Sequence, residues 1–202
     1  YTLFQKFEWV MHNGTVFILG CTGMLAVPFV SVYTKGVTDA NYIQPLFAAL
    51  LALAHGGFCL RIPYNMIIIS GGHYKETQKY YIITAVLNLT ISIAAVSSLG
   101  LIGVAVGTMC ATFFHTIWTS LYVSRNLICW PFRNVLKRFL IDTVCVVIAV
   151  NICRILVLYR ADNYLEWSIL AFQTALIWGL VIIAVNVVFE RQTFFSIIKL
   201  KR

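Results

Sequence analysis

Six apolar stretches fill most of this chain of 202 residues, and each is long enough to cross a lipid bilayer. Segments that span a bilayer must satisfy their own backbone hydrogen bonds, so they are either helices or closed β-barrels. A barrel needs alternating apolar and polar residues over about ten positions. Residues 144–150 and 176–188 are apolar at nearly every position. The sequence therefore predicts an all-α, polytopic membrane protein.

The composition agrees with this class. Hydrophobic residues make up 60% of the chain and charged residues 11%, whereas about a quarter of an ordinary soluble domain is charged. The net charge of +8 does not indicate nucleic-acid binding, because the basic residues are scattered at the ends of the apolar stretches. The six cysteines form no CxxC pair, and most lie inside predicted spans. We interpret them as small packing residues and predict neither disulfides nor a metal site.

The predicted spans divide the chain into five segments. A cytoplasmic lead-in (1–14) precedes four spans (15–122), a connector (123–138), two final spans (139–189) and a basic tail (190–202). Because the chain begins at Tyr1, without an initiator methionine, we expect a further part upstream. The spans cover about residues 15–33, 43–69, 80–98, 101–122, 139–158 and 165–189.

The basic residues predict an orientation, since Lys and Arg concentrate in cytoplasmic loops. The opposite side has only Lys35, Arg160 and, near a span end, Arg154. Both termini are then expected in the cytoplasm, which requires an even number of spans. The residues assigned to the cytoplasmic side are Lys6, Lys75, Lys79, Arg125, Arg133, Lys137, Arg138, Arg191, Lys199, Lys201 and Arg202.

Two basic segments on that side also contain apolar and aromatic residues. Residues 125–138 and 191–202 resemble helices that lie in the headgroup layer, although ordinary charged connectors are an alternative. The apolar residues concerned are Trp130, Phe132, Phe194, Phe195 and Ile198.

Arg61 is the strongest candidate for a functional residue. It lies inside the second span, about 13 Å from the cytoplasmic end at 1.5 Å per residue. A charge at such a depth costs at least about 2.5 kcal/mol, so it should face a partner or a watery cavity. Pro63, close by, frees backbone carbonyls and can bend the helix. A structural, snorkelling arginine is the alternative. His55 faces nearly the opposite side of the helix and is predicted to be a core histidine.

Polar residues form stripes on the third and fourth spans, and each stripe lies on one helical face. The stripes form either a cavity wall or polar contacts between packed helices, and the sequence does not decide between them. Gly103 and Gly107 form a GxxxG motif, for which close helix packing is expected. The stripes consist of Thr84, Asn88 and Ser92 on one helix and Thr108, Thr112, His115 and Thr119 on the next.

No catalytic constellation is visible, and no cofactor is indicated. There is no serine elbow, no HExxH motif and no pair of carboxylates at a shared depth. Asp142 and Glu166 lie near span ends, where we expect solvated or helix-end roles. We therefore do not predict an enzyme.

Several motifs, in order, resemble the C-terminal half of polysaccharide biosynthesis proteins. These proteins are bacterial flippases for lipid-linked oligosaccharides, within the multidrug, oligosaccharidyl-lipid and polysaccharide exporter superfamily. The similarity extends over about residues 15–122 and then fades to hydropathy alone. The departure from the family is the absence of the N-terminal bundle. The motifs occupy residues 28–36, 60–64, 70–77, Asn88 and 100–108.

The resemblance implies one lobe of a two-lobe transporter in the bacterial inner membrane, completed by the missing N-terminal helix bundle. Its substrate would be a polyprenyl-diphosphate-linked glycan, and polysaccharide-assembly proteins are further expected partners. Basic cavity residues such as Arg61 would meet the diphosphate or acidic sugars. The candidate substrate-binding residues are Arg61, Tyr64, Asn65, Thr84, Asn88, Thr112 and His115.

Three other functions remain open. A drug or cation antiporter of the same superfamily would need deep carboxylates in the missing half. A membrane enzyme for polyprenyl-linked glycans would need large outer loops, and the loops here are short. A non-transporting subunit of a polysaccharide-assembly complex would not depend on Arg61 for export.

Overall fold

A computed structural model describes residues 2–128, 131–156 and 161–198, with the side chains of 196–198 excepted. Predictions for Cys129, Trp130 and Arg160, the end of the fifth span at 157–158, the Ile198 side chain and the basic residues after 198 lie outside it. In the described ranges the chain forms seven helices and no strand. The helices are α1 (Thr2–Tyr33), α2 (Pro45–Ser70), α3 (Tyr74–Leu99), α4 (Leu101–Asn126), α5 (Phe132–Leu156), α6 (Tyr164–Phe189) and α7 (Arg191–Ile198).

The helices α1 to α6 are all long and apolar enough to cross a membrane. The chain is thus an all-α, multi-pass membrane protein, which confirms the predicted fold class. The six predicted spans match these helices in order.

The first helix begins thirteen residues before the predicted span, at Thr2 instead of residue 15. Phe4, Glu8 and His12 are spaced by four residues, so they lie on one helical face, and all three are buried. The lead-in is therefore a helical extension that packs against the rest of the bundle.

The predicted connector at 123–138 is also largely helical. Helix α4 continues to Asn126, and α5 begins at Phe132. Arg138 is only 8% exposed. Its side chain therefore lies inside the protein and not in a solvated connector, while the location of this segment in the headgroup layer stays a prediction.

Helices α1 and α2 lie at the centre of the bundle, and α5 contacts both α1 and α4. Helix α2 packs against α1 and α4, and α4 packs against α3. On the other side α1 packs against α6, and α6 packs against α5. A core of α1, α5 and α6 side chains surrounds Trp178 and includes Cys145 and Cys153, in the packing role expected of the cysteines.

A single residue, Gly100, separates α3 from α4. Its φ of 56° lies in a region that favours glycine. The two helices then lie in close contact, because a Cβ at Gly103 would be 2.5 Å from the carbonyl carbon of Ala95. A Cβ at Gly107 would overlap Ser92. These contacts confirm the predicted role of the GxxxG motif.

Helix α7 follows α6 after one residue, Glu190. The ring of Phe194 lies 6.0 Å from the ring of Trp9, so α7 packs against the start of α1. Its location in the headgroup layer stays a prediction.

Candidate anion-binding site

Arg61 is partly buried within α2, nine residues before the helix ends at Ser70. Its guanidinium lies over the ring of Phe58, 5.0 Å from the ring centroid. The ion pairs of the described residues involve only His12 and Arg138 as cations. Within that part of the chain, no carboxylate neutralises Arg61.

Helix α2 continues through Pro63, and this continuity sets the positions of the neighbouring polar residues. Asn65 lies one turn after Arg61, so the two side chains share a helical face. Tyr64 lies on a different face and is fully buried.

Tyr81 of α3 connects this face of α2 to α4. Its hydroxyl donates a hydrogen bond of 2.8 Å to Oδ1 of Asn65. Its ring makes an edge-to-face contact with His115 of α4, at a centroid distance of 4.4 Å and an angle of 89°. His115 is 3% exposed. Arg61 interacts electrostatically with both Tyr81 and His115. We call Arg61, Asn65, Tyr81 and His115 the arginine cluster.

The arginine cluster offers hydrogen-bond donors that suit an anion. A guanidinium has five N–H donors in a planar fork that matches phosphate or carboxylate oxygens. Asn65 accepts from Tyr81 through its oxygen, so its NH₂ group is the part that can donate to a ligand. This chemistry suits an anionic group that enters from the membrane or from a water-filled cleft.

The structure separates the other candidate residues from this cluster. The Tyr64 hydroxyl donates a hydrogen bond to Glu8 of α1. Thr84 donates to the carbonyl of Tyr80 on its own helix, at 2.7 Å. Thr112 lies at the α2–α4 contact, where its methyl group would be 3.2 Å from a Cβ at Gly57. Of the seven candidates, three lie together: Arg61, Asn65 and His115.

Asn88 lies at the contact between α3 and α4. Its Oδ1 accepts from Ser92 at 3.2 Å and from Thr108 at 3.5 Å. This geometry favours polar contacts between packed helices as the role of the Asn88 stripe, one of the two interpretations that the sequence left open.

His55 is exposed on the surface of α2, so the prediction that it is a core histidine is wrong. Its Nδ1 donates a hydrogen bond of 3.1 Å to the carbonyl of Leu51.

A second polar site, which the sequence did not predict, lies where α1, α5 and the end of α6 meet. Arg138 donates from Nε to Glu8 at 3.1 Å and from Nη1 to Glu190 at 2.5 Å. Nδ1 of His12 lies 2.5 Å from Oδ2 of Asp142. We call Glu8, His12, Arg138, Asp142 and Glu190 the carboxylate network.

Two expectations about carboxylates are corrected here. Asp142 is bound to His12 and its side chain is only 15% exposed, so it is not a solvated helix-end group. Glu8 and Glu190 both bind Arg138, so two carboxylates do share a depth. One sequence feature could have indicated this network. Arg138 and Asp142 are four residues apart, so they lie one helical turn apart on α5.

No protein-family model, curated protein or solved structure matches this chain.

Proposed function

We propose that this chain forms part of a transporter that moves a polyprenyl-diphosphate-linked oligosaccharide across the bacterial inner membrane. The observation that carries the proposal is Arg61, a positive side chain inside a spanning helix that pairs with no carboxylate of the described residues. Its missing counter-charge is then a group on the ligand, and a diphosphate or an acidic sugar has the required charge.

The energetics of Arg61 support a ligand. Placing an arginine at the centre of a spanning helix costs about 2.5–3.5 kcal/mol on insertion scales. The contact with Phe58 offsets part of this cost, since cation–π interactions are worth about 0.5–2 kcal/mol. A bound anion offsets the remainder while the substrate occupies the site.

The chemistry of the substrate explains why a protein is needed. A sugar that enters hydrocarbon must lose its hydrogen bonds to water, at a cost of several kcal/mol for each hydroxyl. A hydrated cleft removes that cost, and the polyprenyl tail can stay in the bilayer. Rocking of one helix bundle against another exposes such a cleft to each side in turn.

The order of motifs over residues 15–122 supports the same function through its resemblance to oligosaccharide flippases. On this proposal the chain supplies one lobe, and an N-terminal bundle supplies the facing wall of the cleft. The distribution of basic residues supports cytoplasmic termini.

The orientation can be tested by labelling with a membrane-impermeant thiol reagent in a background that lacks the native cysteines. Position 76 lies in the first turn of α3 and position 36 follows α1, so α2 separates them and the two positions are expected on opposite sides of the membrane. We expect Gly36→Cys to react from outside the cell and Glu76→Cys only after permeabilisation. The reverse pattern would contradict the proposed orientation.

The function is tested by replacing Arg61 in cells whose surface glycan depends on this protein. We expect Arg61→Ala to fold and to cause lipid-linked glycan to accumulate in the inner leaflet. Arg61→Lys should retain part of the activity, because it keeps the charge but not the planar fork. Arg125→Ala removes an exposed arginine at the end of α4 and should export normally.

Normal export by the Arg61→Ala variant would contradict the proposal that Arg61 binds the substrate. If that variant also lost proteins that otherwise co-purify with it, the result would favour a non-transporting assembly subunit.

A further inference from the structure

A small polar cavity lies inside the carboxylate network. Its volume is about 10 Å³, close to the minimum that holds one water molecule. It lies between α1, α5 and α6, at the end of the bundle where α1 and α5 begin and α6 ends. The lining residues are His12, Asn13, Arg138, Ile141, Asp142, Asn186 and Glu190.

The charges around this cavity do not balance. The chain contains seven acidic residues, and three of them converge here: Glu8, Asp142 and Glu190. The guanidinium of Arg138 compensates one carboxylate, so two positive charges are still required. A proton on His12 supplies one, and a further proton or cation must supply the other. Uncompensated charges inside a protein are strongly destabilising, so the network requires this additional ligand.

His12 shows a second, independent feature of a binding site. The residue is 1% exposed, and its Nδ1 is bound to Asp142. Its Nε2 is buried and has no hydrogen-bond partner among the described residues. A buried polar atom without a partner costs about 1–3 kcal/mol, and a water molecule in the cavity would satisfy it.

We propose that this cavity is a proton-binding site and that the exchangeable proton is held by the His12–Asp142 pair. His12 carries one proton, and its Nδ1–H donates to Oδ2 of Asp142. The exchangeable proton is the second one, on Oδ1 of Asp142, and it leaves to water through the cavity. Glu8 is less suited to carry it, because both of its oxygens already accept hydrogen bonds, from Tyr64 and Arg138.

Few other titratable groups contact the site. Tyr64 of α2 bonds to Glu8, and Cys145 follows Asp142 by one turn on α5. Helix α7 adds an aromatic contact through Phe194 to Trp9. Among the described residues, no cation other than Arg138 and His12 forms an ion pair with these carboxylates.

Proton occupancy would control how tightly α1 is held to α5 and α6. With the protons bound, the network is neutral and joins the three helices. When they leave, the uncompensated carboxylates repel one another and favour an arrangement that admits water. This inference does not depend on which molecule the protein transports.

The test is infrared spectroscopy of the purified, membrane-reconstituted protein during a pH titration. We expect a carboxylic-acid C=O band from a buried group that disappears as the pH rises. Isotopic labelling of aspartate in the native protein should shift this band. Asp39 and Asp162 are exposed, so a shifted buried band identifies Asp142. A band that shifts only with labelled glutamate, or no such band, would overturn the assignment to His12–Asp142.

Variants then test the pair directly. Asp142→Asn should remove the band, and the control Glu76→Gln, which replaces an exposed carboxylate at the same end of the bundle, should retain it. His12→Gln should shift the frequency of the band, since the hydrogen bond from Nδ1 of His12 to Oδ2 of Asp142 is then lost. An unchanged band in His12→Gln would contradict the pairing.

Added alkali cations test whether the remaining positive charge in the cavity is a proton or a metal ion. At constant pH, we expect added sodium or potassium to leave the band unchanged. Cation-dependent loss of the band would show that the cavity binds a metal ion in place of the proton.

Discussion

Tyr81 donates a 2.8 Å hydrogen bond to Asn65, one helical turn from Arg61. Because the same ring contacts His115, Tyr81 holds α2, α3 and α4 together at the arginine cluster. It therefore acts as a positioning residue for groups that would contact the ligand.

Tyr81→Phe should lower export about two- to tenfold, because it removes one hydrogen bond, worth about 0.5–1.5 kcal/mol, and keeps the ring. The measurement is the rate at which lipid-linked glycan reaches the outer leaflet. Tyr74→Phe, at the exposed start of α3, is the matched control and should have no effect. Equal rates for the two variants would show that Tyr81 does not position the site.

Asn88→Leu should have little effect on export and should lower stability by about 0.6 kcal/mol, the average for hydrogen bonds between membrane helices. The reason is that Asn88 bonds to Ser92 and Thr108 at the α3–α4 contact. Export and unfolding in detergent should be measured on the same variant. A large loss of export at near-normal stability would instead place Asn88 in the substrate pathway.

Gly103→Ala should destabilise the protein by about 1–3 kcal/mol, because the new methyl group would press on the backbone of Ala95. Gly14→Ala is the control, since a Cβ there meets nothing within 4 Å. Alanine is also the better helix former, so this change should be neutral or slightly stabilising. The midpoint of denaturant unfolding in mixed micelles reports both effects. Similar midpoints for the two variants would argue against close packing at Gly103.

Arg138→Met should destabilise the protein by about 3–5 kcal/mol, because it leaves Glu8 and Glu190 without their shared cation. Lys137→Met, at the exposed neighbouring position, should have little effect. Replacing Glu8 and Glu190 by glutamine in the Arg138→Met background should recover part of the loss. Thermal unfolding of the four proteins measures the series. If the triple variant recovered no stability, Arg138 would stabilise the protein through packing and not through its charge.

The sequence predicted the membrane spans well because their signal is local. Twenty consecutive apolar residues identify a span wherever its neighbours lie. Arg61 of the arginine cluster was predicted for the same reason, because a charged residue is conspicuous within an apolar span. Tyr81 was missed because an aromatic residue in a span does not reveal which polar atom its hydroxyl reaches.

The carboxylate network was missed for a different reason. Glu8 and Arg138 are 130 positions apart, and Arg138 lies in a segment whose basic residues are explained by topology alone. Only the packing of α1 against α5 shows that this arginine turns inward. Residues near span ends therefore cannot be assigned to water or to the protein interior without the tertiary structure.

The one-residue link at Gly100 has a consequence for how the protein is made. Two helices joined so tightly are expected to enter the bilayer together, as a single helical hairpin. A residue with a side chain at position 100 would strain the link, because a φ of 56° favours glycine, and it would thus hinder biogenesis before any question of transport arises.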